Sequence, residues 1–216
     1  MLASPLPIYL VKRYLRWKAT NFVKNKTLFR DLADLGQHPQ TMVIACCDSR
    51  VDVNAILGSK VGELFVHRKI ANLVPPYIPG KDNHGTAAAV EYAVTTLGVA
   101  HIVVLGHSNC GGVEGCYNMC SGSAPNLEQD ASFIGRWLDI MRPAYGKVCN
   151  HGTRNEQIVA LERESIILSL ANLFSFPFVK KAVEKRSLSL HGLWNNVGDG
   201  SLLFYCEKNS KWKAVD

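Results

Sequence analysis

The 216-residue chain has no run of eighteen apolar residues, so the sequence offers no candidate for a membrane-crossing helix. It lacks internal repeats and low-complexity tracts, which sets aside solenoids and disordered chains. Charged residues are sparse at 19% while hydrophobic residues reach 47%, the balance of a globular protein. Basic residues outnumber acidic ones, with a formal net charge of +6. No stripe of basic and aromatic residues interleaves, however, so nucleic acid is not an expected partner. The cluster Lys180, Lys181, Lys185 and Arg186 reads as a solvated helix face. There are seven cysteines, but the count is odd and no disulfide framework is visible. The opening stretch makes a poor signal peptide, because Pro5 and Pro7 break its apolar run and the positive charges follow that run. These features lead to the expectation of a cytoplasmic protein, whose cysteines are free thiols, core residues or metal ligands. The length suits one domain with a core large enough to need no staples.

The first forty residues have helical spacing, with Tyr9, Leu10, Tyr14 and Trp17, then Phe22, Leu28, Phe29, Leu32 and Leu35, up to a stop at Gly36. We read residues 1–36 as an amphipathic arm; such an arm can lie on a membrane surface, but the preferred reading is that it packs on its own domain or on a partner subunit. Residues 41–46 and 101–106 are short apolar runs that read as buried strands, and 63–67 is a third. Helices are expected over 85–97, 130–141, 154–174 and 178–186, and a hairpin from 188–194 and 202–207 around a turn-rich segment. Strands alternating with helices predict an α/β fold: a mainly parallel central sheet of about four strands plus an antiparallel edge strand. In such sheets ligands gather beyond the carboxyl ends of the strands.

Two of those strand ends carry unusual chemistry. One runs into Cys46-Cys47-Asp48-Ser49-Arg50, the other into Gly106-His107-Ser108-Asn109-Cys110-Gly111-Gly112. Zinc takes cysteine sulfur and histidine nitrogen in a tetrahedron, and three protein ligands leave the fourth position open for chemistry. Cys46, His107 and Cys110 form such a set if their strands are neighbours. Other readings stand beside it. His107 could be a core histidine and Cys46 a small buried hydrophobe. Cys110, Cys116 and Cys120 could form a closed structural site, and Cys46-Cys47 a redox pair. Asp48 and Arg50, two residues apart, can join through parallel hydrogen bonds. Beside a metal, Arg50 would aim an ionised Asp48 at a water on the ion, or Asp48 could swing in and block it. The backbone at Gly111 and Gly112 would suit an anion.

At these residues the chain resembles the beta-class carbonic anhydrases, whose Cys-x-Asp-x-Arg and Gly-His-x-x-Cys-Gly-Gly motifs it matches in order and spacing. Residues 62–68, 70–76, 91–94 and 190–194 are also similar to family segments, so that the resemblance covers about residues 25 to 206. It implies zinc on Cys46, His107 and Cys110, the dyad Asp48–Arg50, and reversible hydration of carbon dioxide to bicarbonate by zinc-bound hydroxide. It further implies a homodimer or higher homo-oligomer with N-terminal helices laid across the partner. The family's substrate pocket falls on Gln37, Phe65 and Tyr92, partly supplied by the neighbouring subunit, with Gly111 facing bicarbonate. Two departures stand out. Lys69 replaces the usual asparagine. Val43 replaces the tryptophan of members closed by bicarbonate, which points to the open type. Two rival activities stay open at this stage: hydrolysis of carbonyl sulfide or carbon disulfide on the same fold, and a non-enzymatic closed-zinc bicarbonate sensor.

Overall fold

The computed structural model describes residues 4–79, 85–129 and 132–215. The chain divides into two compact units, meeting between His38 and Pro39. In the first, α1 (Ile8–Trp17) continues through a wide π-helical turn, Lys18–Phe22, before α2 (Lys26–Leu35). The Trp17 ring lies 5.7 Å from both Phe22, to which it is tilted, and Phe29, which it meets edge-on. Gly36 ends α2 with φ at 82°, a backbone setting that side chains with a Cβ avoid. Neither helix buries a residue, although both carry apolar side chains along one side.

The second unit is built on six strands in the order β2-β1-β3-β4-β5-β6. In chain order they are β1 (Thr41–Cys46), β2 (Leu64–Lys69), β3 (His101–His107), β4 (Ser189–Asn195), β5 (Leu202–Cys206) and β6 (Lys211–Ala214). The first four run parallel, and β4–β5 and β5–β6 are antiparallel. The expected hairpin is therefore present as β4–β5, and one further strand, β6, pairs antiparallel with β5 and forms the edge beyond it. Sequence reading missed β6 because Lys211-Trp212-Lys213-Ala214 is short and charged, as suits a protected sheet edge.

The helices interleave with the strands: α3 (Val53–Ile56), α4 (Gly85–Glu91), α5 (Gly111–Cys120), α6 (Phe133–Leu138), α7 (Arg142–Val148), α8 (Arg154–Phe174) and α9 (Pro177–Glu184). A π-helical turn, Tyr92–Thr96, extends α4, so the sequence-predicted helix over 85–97 is one continuous element. Of the helix expected over 130–141, residues 130 and 131 lie outside the described residues. The 21-residue α8 spans the range read from sequence, and Thr153 and Glu156 close a reciprocal capping box at its start.

Met42, Val43, Ile44 and Ala45 are wholly buried, because β1 is central and both its faces are covered. On one face Met42, Ile44, Ile102 and Val104 meet Ile166 and Leu173 of α8 and Val179 of α9. Further along that face Cys46 and Cys110 join Val113, Leu138, Met141 and Leu161. On the other face Val43, Ala45, Val103 and Leu105 pack with Val51 and Val53. The basic cluster read on residues 180–186 is exposed. Among the described residues no single helix is long and apolar enough to cross a membrane.

Candidate metal centre

β1 and β3 are direct parallel neighbours, with Ala45 opposite Leu105, so the strands deliver Cys46 and His107 to the same sheet edge. After β3 the chain turns through Asn109, at a left-handed φ of 54°, and enters α5 with Cys110 as its N-cap. The turn brings Cys110 back over Cys46, their sulfurs 3.9 Å apart. The sulfur and nitrogen ligand atoms of Cys46, His107 and Cys110 all lie within 4.8 Å of one another. All three residues are buried, at 5%, 1% and 1% exposure. Gly112 permits this approach: a Cβ there would meet Ile70 Cγ2 at 2.8 Å and Ala71 Cβ at 3.0 Å.

The donor set fits a zinc ion. His107 Nδ1 lies 2.9 Å from the Ser108 carbonyl, which can only accept, so Nδ1 carries the proton and Nε2 keeps its lone pair. Among the described residues the buried Nε2 has no hydrogen-bond partner, a position that a cation satisfies. The Cys46 thiol ionises far more readily than an ordinary cysteine because Cys110 hydrogen-bonds to its sulfur, with burial opposing and His107 helping. The same bond, together with burial, pushes Cys110 upward. Burial works against a charged His107, but its contacts with Cys46 outweigh this and raise it. A dication among these three groups supplies the charge that lets both sulfurs ionise.

Asp48 and Arg50 stand beside the cluster. Arg50 donates from Nε to Asp48 Oδ1 at 2.9 Å and from Nη2 to Oδ2 at 2.8 Å, while its backbone N–H also donates to Oδ1 at 2.9 Å. Those hydrogen bonds hold the carboxyl well below the usual carboxylate range, with only minor opposition from burial. Asp48 faces Arg50 and is not one of the clustered ligand atoms.

The structure thus brings together Cys46, His107, Cys110, Asp48 and Arg50. It pairs Phe65 with Tyr92, ring centroids 5.9 Å apart, but at some remove. Phe65 lies opposite Met42, four residues short of Cys46, or on the order of 13 Å along the strand. Gln37 is exposed at the end of the first unit. Gly111 is exposed, with open space around its Cα. Of the rival cysteine set, Cys116 and Cys120 sit 3.9 Å apart on α5, while Cys110 belongs to the cluster with Cys46 and His107. Cys47 is an exposed free thiol and is not among the clustered ligand atoms. Lys69 is buried, its ammonium against Thr86 Oγ1 and 5.5 Å from the centroid of the Trp137 ring.

Two contributors escaped the sequence reading. Arg68 donates from Nε to the Cys46 carbonyl at 2.9 Å and from Nη2 to the Asp48 carbonyl at 2.6 Å, which fixes the loop between ligand and dyad. Glu162 on α8 accepts from the Cys110 N–H at 3.3 Å. Its signal was present: Glu162, Ser165, Ile166 and Ser169 follow the buried stripe of the helix, where a carboxylate is out of place.

Comparison with known proteins agrees with this geometry. The family described as carbonic anhydrase matches residues 41–202. Beta carbonic anhydrase 3 of Arabidopsis thaliana is 40% identical over 182 residues, 83% of this chain and 69% of that one. The solved structure of the beta-carbonic anhydrase CcaA superposes with a TM-score of 0.87 at 32% identity, covering 96% of this chain and 91% of that one. A tetrameric beta-carbonic anhydrase from Sordaria macrospora gives a TM-score of 0.72 at 27% identity, covering 96% and 95%. A family match over most of the chain, joined to that level of identity with a named member, places the chain in the beta class of the carbonic anhydrase family.

Proposed function

We propose that the chain holds one zinc ion on Cys46, His107 and Cys110 and catalyses the reversible hydration of carbon dioxide to bicarbonate and a proton. The observation that carries this reading is the set of three buried ligand atoms within 4.8 Å, one of them a histidine nitrogen with no other partner. Bound zinc is a Lewis acid that brings the pKa of a coordinated water towards neutrality.

The residues around the cluster do the remaining work. Asp48 Oδ1 accepts two hydrogen bonds from Arg50 and Oδ2 accepts one. A carboxylate oxygen offers two lone pairs, so Oδ2 keeps one acceptor site. Because Arg50 holds Asp48 ionised, that site accepts and does not donate. With the metal bound, that site would accept the O–H of the attacking oxygen and so orient it towards carbon dioxide. Asp48 so acts as an acceptor rather than a titrating base. The Asp48–Arg50 pairing supports the open type, to which Val43 also points. The Gly111 backbone, exposed at the start of α5, would suit an anion such as the bicarbonate product.

Phe65, Tyr92 and Gln37 form the pocket wall, with Gln37 hydrogen-bonding the substrate. The separation of the Phe65–Tyr92 pair from its own Cys46 supports a wall completed by a neighbouring subunit. In this reading residues 1–216 form one carbonic anhydrase domain, and the arm, 1–36, lies across a partner in a homodimer or larger homo-oligomer. The unburied apolar sides of α1 and α2 support that arrangement. Seven unpaired cysteines support a reducing compartment, which we take to be the cytoplasm.

The test is stopped-flow carbon dioxide hydration by the zinc-loaded chain. Turnover well above buffer, lost in Cys46→Ala together with the metal, is expected. Full zinc occupancy with no turnover would remove the enzymatic reading.

A further inference from the structure

The peptide joining Asn109 to Cys110 is gripped at both ends. Its carbonyl oxygen accepts from Arg50 Nη2 at 2.9 Å, and its N–H donates to Glu162 Oε1 at 3.3 Å. Arg50 uses the same Nη2 to hold Asp48 Oδ2. The other Glu162 oxygen, Oε2, accepts the indole N–H of Trp194 at 3.1 Å, at the end of β4. Arg163 lies over that indole, 4.8 Å from its centroid. One peptide plane therefore links a metal ligand, the dyad and a carboxylate on the 21-residue α8.

Glu162 is 1% exposed, and so buried a carboxylate persists only where its acceptors are needed. The chemistry here demands two acceptors, since an N–H points at each oxygen. A carboxylate accepts at both ends, whereas a glutamine presents one oxygen and one NH₂ and must set a donor against a donor. Asn109 adds to the need, because its left-handed backbone has to be held in place by its neighbours.

We propose that Glu162 is a positioning residue for the metal centre: through the Asn109–Cys110 peptide it sets both the Cys110 sulfur and the Arg50–Asp48 dyad. Outer partners of metal ligands commonly govern affinity by 10–100-fold. The proposal rests on the zinc site described above but not on the reaction assigned to it, so its test reads metal binding directly.

The experiment measures chelator competition for zinc and the thiolate-to-metal charge-transfer band after cobalt substitution, in Glu162→Gln, Trp194→Phe and the double variant. Glu162→Gln is expected to weaken zinc roughly 10–100-fold and to shift the cobalt band. Trp194→Phe removes the competing donor. The double variant should therefore let the glutamine oxygen turn to Cys110, recovering affinity to within about threefold of Trp194→Phe alone, a recovery that this donor argument requires. Wild-type affinity and spectrum in Glu162→Gln would overturn the proposal, as would a double variant no better than Glu162→Gln. If Glu162→Gln does not fold, amide exchange in the zinc-loaded wild type decides. A Cys110 N–H as protected as the α8 interior supports the grip, and rapid exchange there refutes it. Where the proposal holds, carbon dioxide hydration should lose kcat more than KM. If turnover is absent while the metal results hold, only the reaction assignment fails.

Discussion

At the scale of single residues, the site divides labour between candidate ligands and an acceptor that stays charged. Arg50 holds the Asp48 carboxyl below an ordinary value of about 3.9, so at and above that pH Asp48 is ionised and has no proton to exchange. Its contribution to folding is of the depressed-carboxylate kind, present above the unfolded value and lost only as strong acid protonates it. Asp48→Asn and Arg50→Ala should each slow hydration by at least about tenfold, within the range assigned to preorganised electrostatic groups. The pH–rate profile of Asp48→Asn should keep the wild-type midpoint at a lower plateau. A midpoint that disappears in this variant would make Asp48 the titrating group. This much of the site was legible beforehand, because cysteine, histidine and paired charges at strand ends are unusual residue types in telling places. Glu162 and Arg68 were harder to read, since their roles depend on partners 52 and 20–22 residues away.

At the scale of the element, β2 shows what the sequence pattern could not reveal. Phe65, His67 and Lys69 alternate onto one face of the strand, opposite Met42, Ile44 and Cys46. Burial pulls the Lys69 ammonium down to about 7, with Cys47 opposing. Burial, then the Lys69 charge, holds His67 at about 4. Both charged forms are disfavoured in the fold. Between about pH 7 and the unfolded value of about 10.4, the unfolded chain binds the Lys69 proton more tightly, so stability rises with pH across that window. Lys69→Met should raise the melting temperature at pH 7 by on the order of 2–4 °C, the shift given by about 1 kcal/mol in a chain of this size. That gain should shrink at pH 10, as followed by thermal unfolding. An equal gain at both pH values would mean that the buried charge is not the cause. The strand itself was predictable from its apolar run, as was α8 from its period and cap. β6 was not, because a four-residue charged edge strand carries little pattern.

At the scale of the whole molecule, the core unit carries the candidate ligands and the dyad, while the two arm helices bury no residue and carry apolar side chains along one side. Assembly should cover them and complete the substrate wall. Leu10→Asp with Leu28→Asp should lower the mass seen by sedimentation equilibrium and reduce hydration with it. An unchanged oligomer with full activity would detach the arm from both roles. Everything above depends on the identity of the metal's neighbours, and X-ray absorption at the zinc edge reads them directly. The account predicts two sulfurs at about 2.3 Å, one imidazole nitrogen at about 2.0–2.1 Å and one further light atom. That sulfur signal should fall to one in Cys110→Ser. A zinc site with three or four sulfurs, or one unchanged in Cys110→Ser, would contradict it.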